Sequence, residues 1–266
     1  MRHWFRGIPP GVAVLVLLIS PPSPLAAQER LPPVRVKAKS PCQVEPERAR
    51  ETADLWAAAR EALEGATAKD SAPPSLLVRE WRRALDFDFR IRYEDSDTSV
   101  VRTRQPFDRP APGNLERVGY IQRQGSSLVY YGPDAGLLLS ERFLRQHCFR
   151  RLEGEGGTAG LVGLAFAPLP RADRPDVSGV LWVDVQRGEL RSVEYTWVNP
   201  PEEARAPGIG GRADFVRLSS GGWIVQRWNI RMARQDSGGG WGRSFDGYTD
   251  QGGEVLAVMT ASAIRR

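Results

Sequence analysis

The chain has 266 residues, with 37 Lys and Arg against 32 Asp and Glu, two His and two Cys. Zinc needs three or four good ligands, which so few imidazoles and thiols do not supply. A nucleic-acid surface gathers its positive charge on one face, whereas Arg here is interleaved with acids along the whole chain.

Arg2 and Arg6 precede an apolar run, Val12–Ile19, which Ser20-Pro21-Pro22 breaks, and Leu25-Ala26-Ala27 offers small residues to a peptidase. This order is that of a secretory signal peptide over residues 1–27, cleaved after Ala27. The apolar run is less than half of the ~20 residues that span a bilayer. Cleavage removes Arg2 and Arg6 and no acid, leaving 35 basic against 32 acidic residues, a net charge of +3. The mature chain is expected without a membrane span, in the periplasm or at the surface of a Gram-negative bacterium. Two thiols in an oxidising compartment usually pair, so Cys42 and Cys148 are expected to form a disulfide. It would close a loop of roughly a hundred residues, worth about 4 kcal/mol in the chain-entropy view.

Residues 28–41, with Pro32, Pro33 and Pro41, read as an extended linker in which Val34 and Val36 could pair as an edge strand. Residues 42–266 read as a single disulfide-tied β-rich domain. Glu45-Pro46 opens a helix, with proline in the first turn where its missing N–H costs nothing. Ala, Glu, Arg and Leu carry it to Glu64, and Gly65 ends it. Its stripe is Leu55, Trp56, Ala59, Ala62 and Leu63, so it should lie on another element.

From Ser75 the period becomes two. Phe87, Phe89, Ile91 and Tyr93 alternate with Asp86, Asp88, Arg90, Arg92 and Glu94, which predicts one strand with an apolar and a wet face. Val100–Thr103 reads as its partner, and Phe107–Asn114 as a proline-punctuated loop. Val118–Ile121 and Ser127–Tyr131 form a second pair about Gly125. Ser140 caps a short helix that ends near His147.

Hairpins follow. Leu161–Phe166 is a strand, and Val177–Val185 and Leu190–Val198 flank the turn Gln186–Glu189. Ala213–Leu218 and Trp223–Met232 flank Ser219–Gly222; Ser244–Thr249 and Val255–Ala261 flank Gln251–Gly253. Glycine in short loops between alternating strands is the hairpin signal, and strands joined this way pair with their neighbours. Ser237–Gly240 is a flexible turn, since a phosphate loop needs a Lys-Ser/Thr ending. The expected fold class is mainly β with helices (α+β). It is an antiparallel meander or half-barrel sheet covered by the N-terminal helix and the short second helix.

His147 is the one imidazole left after signal removal, and at a helix end it suits capping better than catalysis. There is no Gly-x-Ser-x-Gly elbow. Asp86 and Asp88, hemmed in by Arg82, Arg83, Arg90 and Arg92, read as an ion-pair ladder rather than a catalytic pair. No catalytic, metal-binding or cofactor-binding residue is assigned, and no cofactor is expected. The aromatic residues are more telling. Val180–Val183 is apolar on both faces, and Trp182, Tyr195, Trp197, Trp223 and Trp228 stand on the hairpins. The face beneath the helix is then either a plain core or a cavity for an apolar guest.

Gly179–Asp184, Gly188–Tyr195, Gly210-Gly211, Phe215 and Gly222–Met232, with Leu138–Phe143 and His147-Cys148-Phe149, resemble a group of uncharacterised bacterial envelope proteins. These are named for a carboxypeptidase regulatory-like domain at their N-terminus. The likeness covers residues 42–235 and brings no known chemistry. The regulatory-like domain itself is expected to be missing, because only a short stretch separates Ala27 from Cys42. Leu31–Ala38 resembles the segment that follows such domains, and also the TonB box of outer-membrane receptors. A helix followed by a meander with a Trp-Val-Asp-turn-Gly-x-Leu hairpin is similar to lipoprotein carriers of the LolA/LolB type, which hold acyl chains in a half-barrel closed by helices. That resemblance makes Trp182, Tyr195, Trp197 and Trp228 the candidates to line a cavity.

These readings describe an exported, non-enzymatic envelope binding module for a lipid acyl chain or a hydrophobic segment of another envelope protein. One alternative is a protein-interaction domain linked to a TonB-dependent outer-membrane system; another is a cell-envelope hydrolase using carboxylates alone. The first predicts an apolar space of several hundred Å3 between helix and sheet. The second predicts a filled interior with an exposed patch or a free edge strand. The third predicts a cleft whose carboxylates have pKa values pushed apart.

Overall fold

The computed structural model describes residues 46–68, 72–106, 112–125, 127–170, 174–235 and 245–259. The expected signal peptide (1–27), the linker (28–41), Cys42 and the Ser237–Gly240 turn lie outside the described residues.

Leu55, Ala59, Ala62, Leu63 and Ala66 recur at helical spacing in α1 (Pro46–Thr67), and all five are buried. The helix runs through Gly65 rather than ending there. Glycine is needed at that point for close approach, since a Cβ on it would stand 2.5 Å from Cδ1 of Trp223. The end comes two residues later, where the Thr67 hydroxyl meets the carbonyls of Leu63 and Glu64, each at 3.1 Å.

β1 (Ser75–Leu85) and β2 (Ile91–Arg102) form an antiparallel hairpin. The strand expected over 86–94 is instead the turn of that hairpin and the start of β2. The Asp86 carboxylate accepts from the amides of Asp88 and Arg90 at 3.0 and 2.8 Å, and Phe89 takes a φ of 62°. A carboxylate that gathers amides ahead of it folds the chain back, and a period-two pattern does not reveal this. Phe87, Phe89, Ile91 and Tyr93 are consequently between 40 and 63 % exposed rather than aligned on a buried face. Val100 and Val101 belong to the far end of β2, where they pair with Leu77 and Leu76.

Part of the expected loop at 107–114 is helical. α2 (Pro112–Val118) starts on a proline, whose fixed φ suits a first helical position. β3 (Ile121–Gln124) and β4 (Ser127–Tyr130) then form a small two-stranded sheet. α3 (Ala135–Leu138) is capped by Asp134, and α4 (Glu141–Gln146) by Ser140, whose Oγ accepts from the Phe143 amide at 3.1 Å. No helix among the described residues is long and apolar enough to cross a membrane.

Seven strands follow: β5 (His147–Glu153), β6 (Val162–Pro168), β7 (Asp176–Asp184), β8 (Glu189–Val198), β9 (Gly210–Arg217), β10 (Trp223–Gln235) and β11 (Phe245–Met259). They pair in sequence order as an antiparallel meander, and β1 and β2 add beyond β11. The result is one open sheet of nine strands, β2-β1-β11-β10-β9-β8-β7-β6-β5, not closed into a barrel.

One expected hairpin does not form. Gln251–Gly253 is the middle of β11, not a turn. The two glycines are there because indole rings cross the strand on both sides. A Cβ on Gly252 would come 2.8 Å from Cζ2 of Trp81, and one on Gly253 would come 2.5 Å from Cη2 of Trp228. Rings laid over strand glycines cover backbone that would otherwise be bare.

Register sorts the side chains. Leu181, Val193, Ala213 and Trp228 are cross-strand neighbours on one face, and Val180, Glu194, Arg212 and Asn229 on the other. The first, inner face carries the core. α1 contacts β5 to β8, β10 and α3, and its buried stripe joins Leu181, Val193 and Phe166 in one apolar cluster.

Candidate functional site

On the inner face, β1, β9, β10 and β11 form one side of a cleft of about 790 Å3, and the β3–β4 hairpin with Tyr131–Pro133 forms another. The sheet contributes Tyr195, Trp228 and Ile230; the hairpin side contributes Val129, Tyr130 and Tyr131. Tyr195 is wedged tightly, because a Cβ at either Gly132 or Gly211 would collide with its hydroxyl. Burial pushes the Tyr195 phenol far above its ordinary value and that of Tyr130 up to about 12. Both stay protonated at neutral pH, so the cleft offers aromatic surface and not a phenolate base. Glu80, Arg82, Asp95 and Asp97 border the cleft at β1 and β2.

Two of the four sequence candidates, Tyr195 and Trp228, meet in this cleft. Trp197 stands behind them. It is 4 % exposed, its Nε1 donates to the Tyr131 carbonyl at 3.0 Å, and its ring lies edge-on to Tyr195 and Tyr130. Trp182 belongs to the opposite face, where its Nε1 donates to Glu194 at 3.2 Å and its ring covers Gly163. The structure thus removes Trp182 from the cavity set. Val129, Tyr130, Tyr131 and Ile230 were not singled out by sequence. The Leu-Val-Tyr-Tyr run at 128–131 was the available signal.

The outer face holds a second groove, of about 810 Å3, lined by Arg150, Glu194, Thr196, Arg212, Asn229 and Arg231. Most of its charges are engaged with one another. Arg212 bridges Glu194 and Asp214. Asp250, 4 % exposed, accepts from Trp81 Nε1 at 3.0 Å and from the Asn229 amide at 2.8 Å, and lies 3.7 Å from Arg231. The guanidinium groups of Arg83 and Arg227 sit 4.5 and 5.7 Å from the Trp81 ring. These contacts tie β1, β10 and β11 together on this face, while the buried Nε of Arg231 has no hydrogen-bond partner among the described residues.

Among the described residues the carboxyls of Asp86 and Glu94 are held below the ordinary range. The Arg90 amide leads in holding Asp86 low, with Arg92 beside it, and hydrogen bonds from Arg83 and then Arg79 do the same for Glu94. An acid–base pair of the glycosidase kind needs its members pushed apart. His147 is buried, with Nδ1 3.0 Å from the Phe143 carbonyl and Nε2 3.2 Å from both the Val177 carbonyl and Asp176 Oδ1. It ties the last turn of α4 to β7. Among the described residues no group of three His, Cys, Asp or Glu is placed to hold a metal, and no cysteine is free. Cys148 lies half-buried on the edge strand β5, and its expected partner Cys42 falls outside the described residues.

No family model, curated protein or solved structure matches the chain.

Proposed function

We propose that the chain is an exported envelope module that binds rather than transforms its partner. Its ligand is an acyl chain or a hydrophobic segment of another envelope protein, held in the inner cleft. The observation that carries this reading is the cleft itself. Its volume of about 790 Å3 falls in the ~300–1,000 Å3 range of ligand sites, and Trp228, Tyr195, Tyr130, Tyr131, Val129 and Ile230 give it an aromatic and aliphatic wall beside charged and polar side chains. The wall facing the sheet is supplied by the β3–β4 hairpin and Tyr131–Pro133, whereas α1 packs on β5 to β8 and β10 and lines none of the cleft, so the likeness to helix-closed half-barrels that hold acyl chains belongs to the proposal alone. The Cys42–Cys148 bridge and the signal segment at 1–27 belong to the same proposal. Both accord with an oxidising compartment, the setting this reading proposes for the domain.

Native mass spectrometry of the protein purified from periplasm tests the reading. A co-purifying lipid or peptide is expected on the wild type and lost from Trp228→Ala, which opens one wall of the cleft. A bare chain that also fails to take up monomeric dodecyl maltoside would overturn it.

A further inference from the structure

Every exposed aromatic side chain among the described residues lies at the tip of the β1–β2 hairpin. Phe87, Phe89 and Tyr93 are there with Ile91, while the other described aromatic rings are buried or half-buried. Rings back the tip from β11: Phe87 lies edge-on to Phe245, Phe245 edge-on to Tyr248, and Phe89 is tilted against Tyr248. The apolar side chains project from both sides of the hairpin. Ile91 stands opposite Leu85 and joins Phe89 in a small outer pocket with Trp81 and Arg231. Tyr93 stands opposite Ala84, on the inner side with Glu80 and Arg82 of the cleft. A protein patch covers one side of such an element, whereas a tip that is apolar on both sides suits immersion in an apolar medium.

The polar groups of the turn are arranged to match. The Asp86 amide donates to the Arg90 carbonyl at 3.0 Å and the Phe89 amide to the Asp86 carbonyl at 3.1 Å. The Asp86 carboxylate takes the amides of Asp88 and Arg90. Backbone closed in this way needs no water, which is the condition lipid sets on any chain that enters it. The charges are turned in the same sense. Asp86 is 15 % exposed and the Arg92 guanidinium, 2.6 Å away, is 65 % exposed. Arg90 and Asp88, 3.9 Å apart, are both exposed. The tip therefore presents two open guanidinium groups against one open carboxylate, a balance that complements lipid phosphates.

We infer that this tip docks the protein on a lipid bilayer. Phe87, Ile91 and Tyr93 enter the interfacial layer, and Arg90 and Arg92 stay at the level of the phosphates. The inference is independent of what the cleft holds. Arg82 and Asp95, at the border of the cleft, follow Ala84 and Tyr93 on the same hairpin, so docking brings the cleft close to the bilayer.

Co-sedimentation of the mature protein with protein-free vesicles of phosphatidylethanolamine and phosphatidylglycerol tests the inference. The wild type is expected to bind, and Phe87→Ser/Ile91→Ser to bind about ten-fold more weakly, because two immersed apolar side chains are lost. Tyr93→Ser, on the other side of the hairpin, should weaken binding as well. All three positions are exposed, and unchanged urea midpoints would show that the folds are intact. Val185→Ser removes an exposed apolar side chain at the opposite end of the sheet and should bind as the wild type does. A wild type that ignores the vesicles, or tip variants that bind as well as it does, would overturn the inference. So would capture by vesicles only when they carry envelope proteins, since the partner would then be a protein.

Discussion

Asp250 shows how much one side chain settles in this molecule. Its carboxylate accepts from an indole, an amide and, at longer range, a guanidinium, each from a different strand or position. Removing it leaves the buried Trp81 N–H and the Asn229 side-chain amide without their acceptor. Asp250→Ala is therefore expected to lower unfolding stability by about 3 kcal/mol, within the range for a broken buried polar pair, measured as a shift of the urea midpoint. Asp250→Asn, which keeps one carbonyl acceptor, should lose less. Nothing in the sequence marks Asp250 as central, because its partners lie 21 and 169 residues away. The aromatic candidates were partly legible. Tyr195 and Trp228 could be suspected from composition alone, but Trp182 could not be told from them. Which face a tryptophan takes depends on register, and the ladder slips between Trp182 and Val183 and between Val225 and Arg227. A one-residue slip exchanges faces.

The β1–β2 hairpin is the element in which sequence pattern and structure diverge most. Alternation of Phe, Ile and Tyr with charges suggested one continuous strand, whereas Asp86 turns the chain and leaves the aromatic side chains at an exposed tip. Phe89 finds cover there against Tyr248 and beneath Arg231, and Phe87 lies edge-on to Phe245. Glu94 holds the hairpin from its other side through Arg79 and Arg83. Its folded pKa is lowered by those arginines from an ordinary value of 4.5. The unfolded chain therefore binds a proton first as pH falls. The stabilisation is complete above the ordinary value and is lost as pH drops through the lowered one. Urea midpoints between pH 6 and pH 2 should fall more steeply for the wild type than for Glu94→Gln, and the two curves should converge at the acid end. Parallel curves would show that the ion pairs contribute nothing to folding. The start of α4 is legible in the sequence, since a cap such as Ser140 acts locally and needs no knowledge of register, whereas α2 and α3 carry too short a pattern to announce themselves.

Across the whole molecule, the meander from β5 to β11 was legible because each turn joins strands that are neighbours in sequence. The pairing of β1 with β11 was not. Those strands are separated by most of the domain, and the supposed turn at Gly252-Gly253 hid the length of β11. A chain ending at residue 244 would leave β1 and β2 without a sheet to join. It should lose the cooperative unfolding transition seen by tryptophan fluorescence, instead of merely shifting its midpoint. A truncated chain that unfolds cooperatively would show that the meander is sufficient by itself. Contacts this remote in sequence also slow folding, because the intervening chain must be ordered before they form. Since the first strands wait for the last, a chain made amino end first leaves its opening hairpin unseated until the final strand has been synthesised. That seam is the last to close.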